Sequence, residues 1–508
     1  MSKTTRRTLS GLLVGSAALL IVISVKGEGQ LAIPNGAHFP NPAGTSQTIS
    51  TTGKIDLTGP FFQSLGSNGR SCATCHQPGD GMSVSAAHIQ QRFDQTGGLD
   101  PIFRPVDGSN CDTNDVSTVA ARSAAYSLLR TRGLLRVAIT VPATADYAVT
   151  SNNNPYGCTD TSTVSQYRRP LPSTNLRFLS AVMWDGREST PATGTSKIAY
   201  NNYPGSLQGN LAHQALDATQ GHAQGTPQQL TDMVNKGLLS QIVEFESSLY
   251  TAQDTASAGG NLSERNGNGG AGPLAAQAFF ITMNSSIQPL VPDFEQPGTL
   301  CSTPSGPVAC FTPVIFNLFD SWADVGKDDP RAAIARGQAL FNSKPIDITG
   351  VAGINDEVAA GGLVTGGVPS LTGTCGTCHD TPNIGNHSFA TALNIGVGDL
   401  STGSLSLGGL DLSYLPKITV CRKDATTHLP TSDCRTTTDL GQAAIDGKFD
   451  HVGKLKGPIL RGLAARAPYF HNGSAQTLLD VIKFYEVRFG VSFTAREEAD
   501  LVAFLNAL

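Results

Sequence analysis

Two short stretches of this 508-residue chain carry the side chains for demanding chemistry. Residues 71–78 read SCATCHQP and residues 373–380 read GTCGTCHD. Each is a Cys-x-x-Cys followed at once by histidine: Cys72, Cys75 and His76, then Cys375, Cys378 and His379. Zinc would need both cysteine pairs on one ion, which leaves the two histidines without a purpose. A thioredoxin-type dithiol accompanies a βαβ pattern that this sequence lacks. Covalent haem uses all three residues: two thiols add to the vinyl groups of the porphyrin, and the next side chain serves as axial imidazole. With 10 histidines in 508 residues, the repeat is not a chance pattern. The motifs predict two covalently bound c-type haems.

The surroundings suit that chemistry. Lys3, Arg6 and Arg7 precede an uncharged run over residues 8–25, the charged and apolar regions of an export signal. The run is also long enough to anchor the chain in the inner membrane. A periplasmic or extracytoplasmic location is therefore expected. Six further cysteines remain, an even number in an exported chain. Short separations pair Cys301 with Cys310 and Cys421 with Cys434, leaving Cys111 for Cys158. A net charge of −5 offers no basic field for nucleic acid.

These motifs need elements to position them. Residues 251–273 are poor in large apolar side chains and rich in Gly, Asn and Ser, which is linker composition. The expected layout is a signal or anchor over 1–27, an N-terminal haem domain over 28–250, a linker or insertion over 251–313, and a C-terminal haem domain over 314–508. Helical patterns recur. Thr226-Pro227 and Asp329-Pro330 read as helix starts, and Thr494 with Glu497 forms a capping-box pattern before Leu501, Phe504, Leu505 and Leu508. The expected fold is mainly α: two cytochrome c-like haem domains with long irregular loops.

Two other segments, MWDGRE around Trp184 and LRGLAARAPYFHNGSAQTL over residues 460–478, resemble the matching segments of bacterial di-haem cytochrome c peroxidases and of MauG. Order and rough spacing agree from about residue 60 onward, interrupted by apparent insertions around 100–165 and 251–313. The resemblance implies that peroxide or dioxygen reacts at the N-terminal haem while the C-terminal haem stores or relays electrons, with Trp184 between them. It implies an electron donor or an oxidised substrate, a protein among the candidates. It also places Tyr485, in LLDVIKFYEVRF, as sixth ligand of the second haem opposite His379. By periodicity alone Tyr485 joins Leu478, Val481 and Ile482 on one helix face, as a core tyrosine.

Departures from the family pattern alter the expectations. Where relatives take calcium on an Asn side chain, this chain carries Arg169, and a cation does not ligate calcium. The catalytic glutamate position falls on Gln224, which donates a hydrogen bond but carries no proton. His222, two residues earlier, is the substitute proton carrier, and His88 is a candidate removable ligand. A non-enzymatic di-haem electron-transfer cytochrome and a di-haem oxygenase are the alternatives to a peroxidase-like enzyme.

Overall fold

In a computed structural model of the protein, the described residues are 31–179, 181–189, 207–257, 259–277, 300–303, 306–309, 316–355, 370–379, 392–400 and 409–508. The expected N-terminal export segment and the Cys301–Cys310 pairing lie outside the described residues or rest on side chains not described.

The mainly α expectation is overturned. Strands pair into six sheets among the described residues, and helices share the chain with them. The strands are short, and while some pair as local hairpins, others find partners distant in sequence. Tyr147–Asn153 (YAVTSNN) pairs antiparallel with Lys417–Lys423 (KITVCRK), which in turn pairs with Pro430–Thr437. Leu135–Thr140 pairs with Thr163–Arg168. These segments are rich in Thr and Val, which suit a pleated surface. Their alternation is too brief to separate from loop without knowing the partner.

The strand Leu249–Ala256 runs into the stretch read as a linker. It pairs with Gly44–Ser50 and is largely buried, with Leu249, Thr251, Ala252 and Gln253 fully so. Thr and Gln are loop-like by composition, yet in this strand they form a hydrogen-bonded interior. Thr48 Oγ1 and Thr251 Oγ1 lie 2.8 Å apart, and Gln253 Nε2 donates to the carbonyl of Thr255.

The expected helices form. Pro227–Asn235 is opened by Thr226, whose hydroxyl accepts from Gln229 N while Gln229 Oε1 accepts from Thr226 N. Arg331–Ser343 packs on Ala495–Asn506, whose capping box is Thr494 with Glu497. Leu501, Phe504 and Leu505 bury there with Ile334, Phe341 and Trp322. Disulfides join Cys111 to Cys158 and Cys421 to Cys434. Among the described residues no helix is long and apolar enough to cross a membrane.

Candidate functional site

The two motifs fold alike. Cys72–Thr74 forms a 3-10 turn and Cys375–Cys378 one helical turn. In each, the residue before the first cysteine donates its backbone N–H to a threonine hydroxyl two residues past that cysteine: Ser71 to Thr74 at 3.0 Å, Thr374 to Thr377 at 2.8 Å. His76 N–H reaches the Cys72 carbonyl and His379 N–H the Cys375 carbonyl, each at 3.1 Å. Ser71/Thr74 and Thr374/Thr377 fix the turn that presents the thiols. Their repetition was visible in SCATCH and TCGTCH.

Each motif lines its own cavity. The first is bounded by Cys72, Cys75 and His76, the second by Cys375, Cys378, His379 and Tyr485. A single zinc shared by both pairs is thereby excluded. All four thiols are free of disulfides. Burial pushes the Cys72 and Cys375 thiols up to about 12, with Glu246 adding to the effect at Cys72. Such protonated, apolar-lined thiols are poor metal ligands at neutral pH. The Nδ1 of His76 lies 3.0 Å from the Met82 carbonyl, which only accepts, so Nδ1 holds the proton and Nε2 is left to ligate. Burial lowers both imidazoles, His379 to about 4, so both are neutral. A thiol pair outside any disulfide, a neutral imidazole and a largely apolar chamber fit a c-type haem in each cavity.

The cavities share a wall made by Arg169, Pro170, Leu171, Trp184, Lys456 and Ile459. Trp184 is tied into it by both ends. Its Nε1 donates to the Arg169 carbonyl at 2.8 Å, and its own carbonyl accepts from Lys456 N at 2.7 Å. The edge of its ring meets His471, with centroids 6.0 Å apart. Next to it, the buried Asp185 takes Arg168 at 2.5 Å and Arg187 at 2.9 Å, and Arg168 also grips Asp439 through two bonds of 2.7 Å. Burial opposes the charge on Asp185 and Asp439, but the guanidinium partners outweigh it and hold both carboxyls below their ordinary range. Arg187 is thus an Asp185 partner.

The proton-carrier candidates separate. Gln224 is exposed, with φ +55, and its Oε1 accepts from Asn68 Nδ2 at 3.3 Å; it is not among the residues lining the first cavity. His222 does line it. Its Nδ1 is 2.5 Å from the buried Asp107, which also pairs with the buried Arg70. Burial would raise the Asp107 carboxyl, but His222 and Arg70 together hold it low. Asp107 lies outside every motif in the sequence, so none pointed to it. A second group was equally invisible: Glu246, buried on the helix Leu238–Ser248, lines the same cavity with Oε2 unpartnered, and burial lifts its carboxyl to about 8. His88 lies on the helix Ala86–Thr96, paired with Asp80 at 2.6 Å, and lines neither cavity.

Tyr485, on Leu478–Phe489, faces the second cavity beside Phe484 and Phe489. Burial, reinforced by the nearby Cys378 and Cys375, raises its phenol well above the ordinary range. Its hydroxyl makes no hydrogen bond to the described residues. Arg169 is buried, and its guanidinium donates to the carbonyls of Arg132 (2.6 Å), Val84 (2.7 Å) and Arg466 (2.7 Å).

No family model matches the chain. It is 37% identical over 98 residues to a protein named cytochrome-c peroxidase IdrP2 from Denitromonas iodatirespirans, covering 18% of this chain and 26% of that one. The protein of the same name from Pseudomonas sp. (strain SCT) is 36% identical over 101 residues, 18% of this chain and 27% of that one. The matches thus span about a quarter of those relatives' length. A solved MauG-like protein associated with microbial copper homeostasis overlaps 88% of this chain and 85% of its own at 13% identity and a TM-score of 0.31, too low to argue from. The local matches support a peroxidase-like family relationship and extend no further.

Proposed function

We propose that the protein is an exported di-haem c-type oxidoreductase that reacts with hydrogen peroxide or dioxygen at the N-terminal haem and draws electrons through Trp184 from the C-terminal haem. The observation that carries this reading is the shared wall: two chambers, each with its own Cys-x-x-Cys-His, meet at one indole. When bound, haem supplies an iron centre that gives and accepts single electrons. Cys72, Cys75 and His76 would hold the first haem, and Cys375, Cys378 and His379 the second. Trp184 supplies the aromatic path between them, fixed by its bonds to Arg169 and Lys456.

His222 is the proton carrier of the first chamber. Asp107 orients its Nδ1, the other ring nitrogen is left for the chamber, and a side chain 43% exposed exchanges protons with water. Protonated Glu246 is a second donor in the same chamber. Tyr485 would be a ligand to the second haem, giving up on binding it the phenol proton that burial otherwise retains. At the position where relatives take calcium on an Asn side chain, the Arg169 guanidinium supplies a positive charge instead and takes three backbone carbonyls. The two disulfides accord with an oxidising compartment.

Two covalent haems per chain are expected in a pyridine haemochrome assay, falling to one in Cys72→Ser and in Cys375→Ser. Electron paramagnetic resonance before and after peroxide should show the first iron as the open one. A chain without covalent haem overturns the reading, and a first iron that is closed and inert to peroxide leaves an electron-transfer protein.

A further inference from the structure

The wall between the chambers carries more positive charge than its acids balance. Arg168 and Arg187 are matched by Asp185 and Asp439, and Arg70 by Asp107. Arg169, Lys456 and Arg466 are buried without a carboxylate partner among the described residues. Arg169 and Lys456 line both cavities and Arg466 lines the second. The hydrogen bonds they make go to neutral carbonyls: Arg466 donates to Gly462, Ile459 and Arg461, and the Lys456 ammonium to Gly457 at 3.1 Å. Asp80, the acid that acts on Arg169, is already paired with His88. Glu246, the unpaired acid of the first chamber, is neutral at pH 7. Unmatched burial depresses all three cations, Arg169 and Arg466 to about 10 and Lys456 to about 8.

An uncompensated buried charge costs several kcal/mol. Two on the shared wall and a third lining the second cavity call for anions inside those cavities. Resting on the di-haem reading above, we propose that Arg169, Lys456 and Arg466 are the counter-ions of the haem propionates. Haem is the ligand whose chemistry fits both features of each chamber at once: thiol-reactive vinyl groups on one edge and carboxylates on another. Lys456, like Arg169, is a positioning residue common to both chambers.

Lys456→Met tests this in the haem-loaded full chain, with Lys456→Arg as the charge-retaining control. Haemochrome content is measured first, because two covalent haems in each variant verify the di-haem reading independently. Removing a cation next to a propionate disfavours the ferrous state, so the midpoint potential of at least one haem should fall in Lys456→Met and stay near the parent value in Lys456→Arg. Two haems with unmoved potentials in both variants, or an equal fall in both, overturn the assignment. Should Lys456→Met not fold, resonance Raman on the parent protein decides: propionate bending bands at the frequencies of ion-paired carboxylates are expected, and bands of solvated propionates overturn it.

Discussion

The indole Nε1 of Trp184 donates to the carbonyl oxygen of Arg169, and the Arg169 guanidinium in turn binds carbonyls from residues 84, 132 and 466. The indole and the buried guanidinium that gathers these carbonyls are therefore one hydrogen-bonded unit. Trp184→Phe keeps a ring but removes the donor. It should cost about 1 kcal/mol in stability, retain both haems, and slow the peroxide-driven oxidation of the second haem in stopped-flow spectroscopy. An unchanged rate would remove Trp184 from the electron path.

His222→Gln and Asp107→Asn should both slow the reaction with peroxide. The loss expected for His222→Gln is about 10²- to 10⁴-fold, the range of a positioned acid–base group. Asp107→Asn should act by loosening the orientation of the imidazole, since it leaves the ring in place and removes the carboxylate that holds its Nδ1. Gln224→Glu, on an exposed side chain outside the chamber, should leave the rate near the parent value.

Glu246 makes stability fall with rising pH. Its carboxyl titrates at about 8 when folded and near 4.5 when unfolded. Between those values the unfolded state has released a proton that the native state keeps, so stability decreases as pH climbs from 4.5 toward 8. Glu246→Gln should flatten that window in urea titrations at a series of pH values. A parent curve that is already flat there would mean the carboxyl is not held neutral.

Tyr485→Phe should open the second iron or admit another ligand, seen as a changed ferric spectrum and a shifted potential at that haem alone. Tyr485→Met should raise the potential, since a thioether favours ferrous iron where a phenolate favours ferric. A second haem indifferent to both changes would leave Tyr485 a core residue.

What could be read from the sequence followed from locality. The motif turns need only Ser71–His76 and Thr374–His379, and the caps at Thr226 and Thr494 need four residues each, so both were legible. Tyr485 was placed on a helix face by the spacing of Leu478 and Ile482, and it does lie beside the second motif. The sheets were not legible, because Thr and Val in YAVTSNN become a strand only when KITVCRK arrives. The same holds for the site: Asp107 gains meaning through His222, and Lys456 through the wall, and neither pairing has a sequence period. Gln224 was favoured by aligned spacing, but the helix Leu207–Gly221 ends just before it, and the turn that follows points His222, not Gln224, into the chamber.

The pairing of Tyr147–Asn153 with Lys417–Lys423 also sets a timetable. The Thr150 hydroxyl donates to the carbonyl of Thr419, 269 residues further on. As the chain emerges, the early strand has an open edge until most of the protein has followed it. Contacts at such separation make folding slow, and an unpaired edge is a template for other chains. During synthesis the chain therefore passes through an interval in which Cys72–His76 has already emerged while the strand Tyr147–Asn153 still lacks its partner, and in that interval pairing with another chain competes with completion of the sheet.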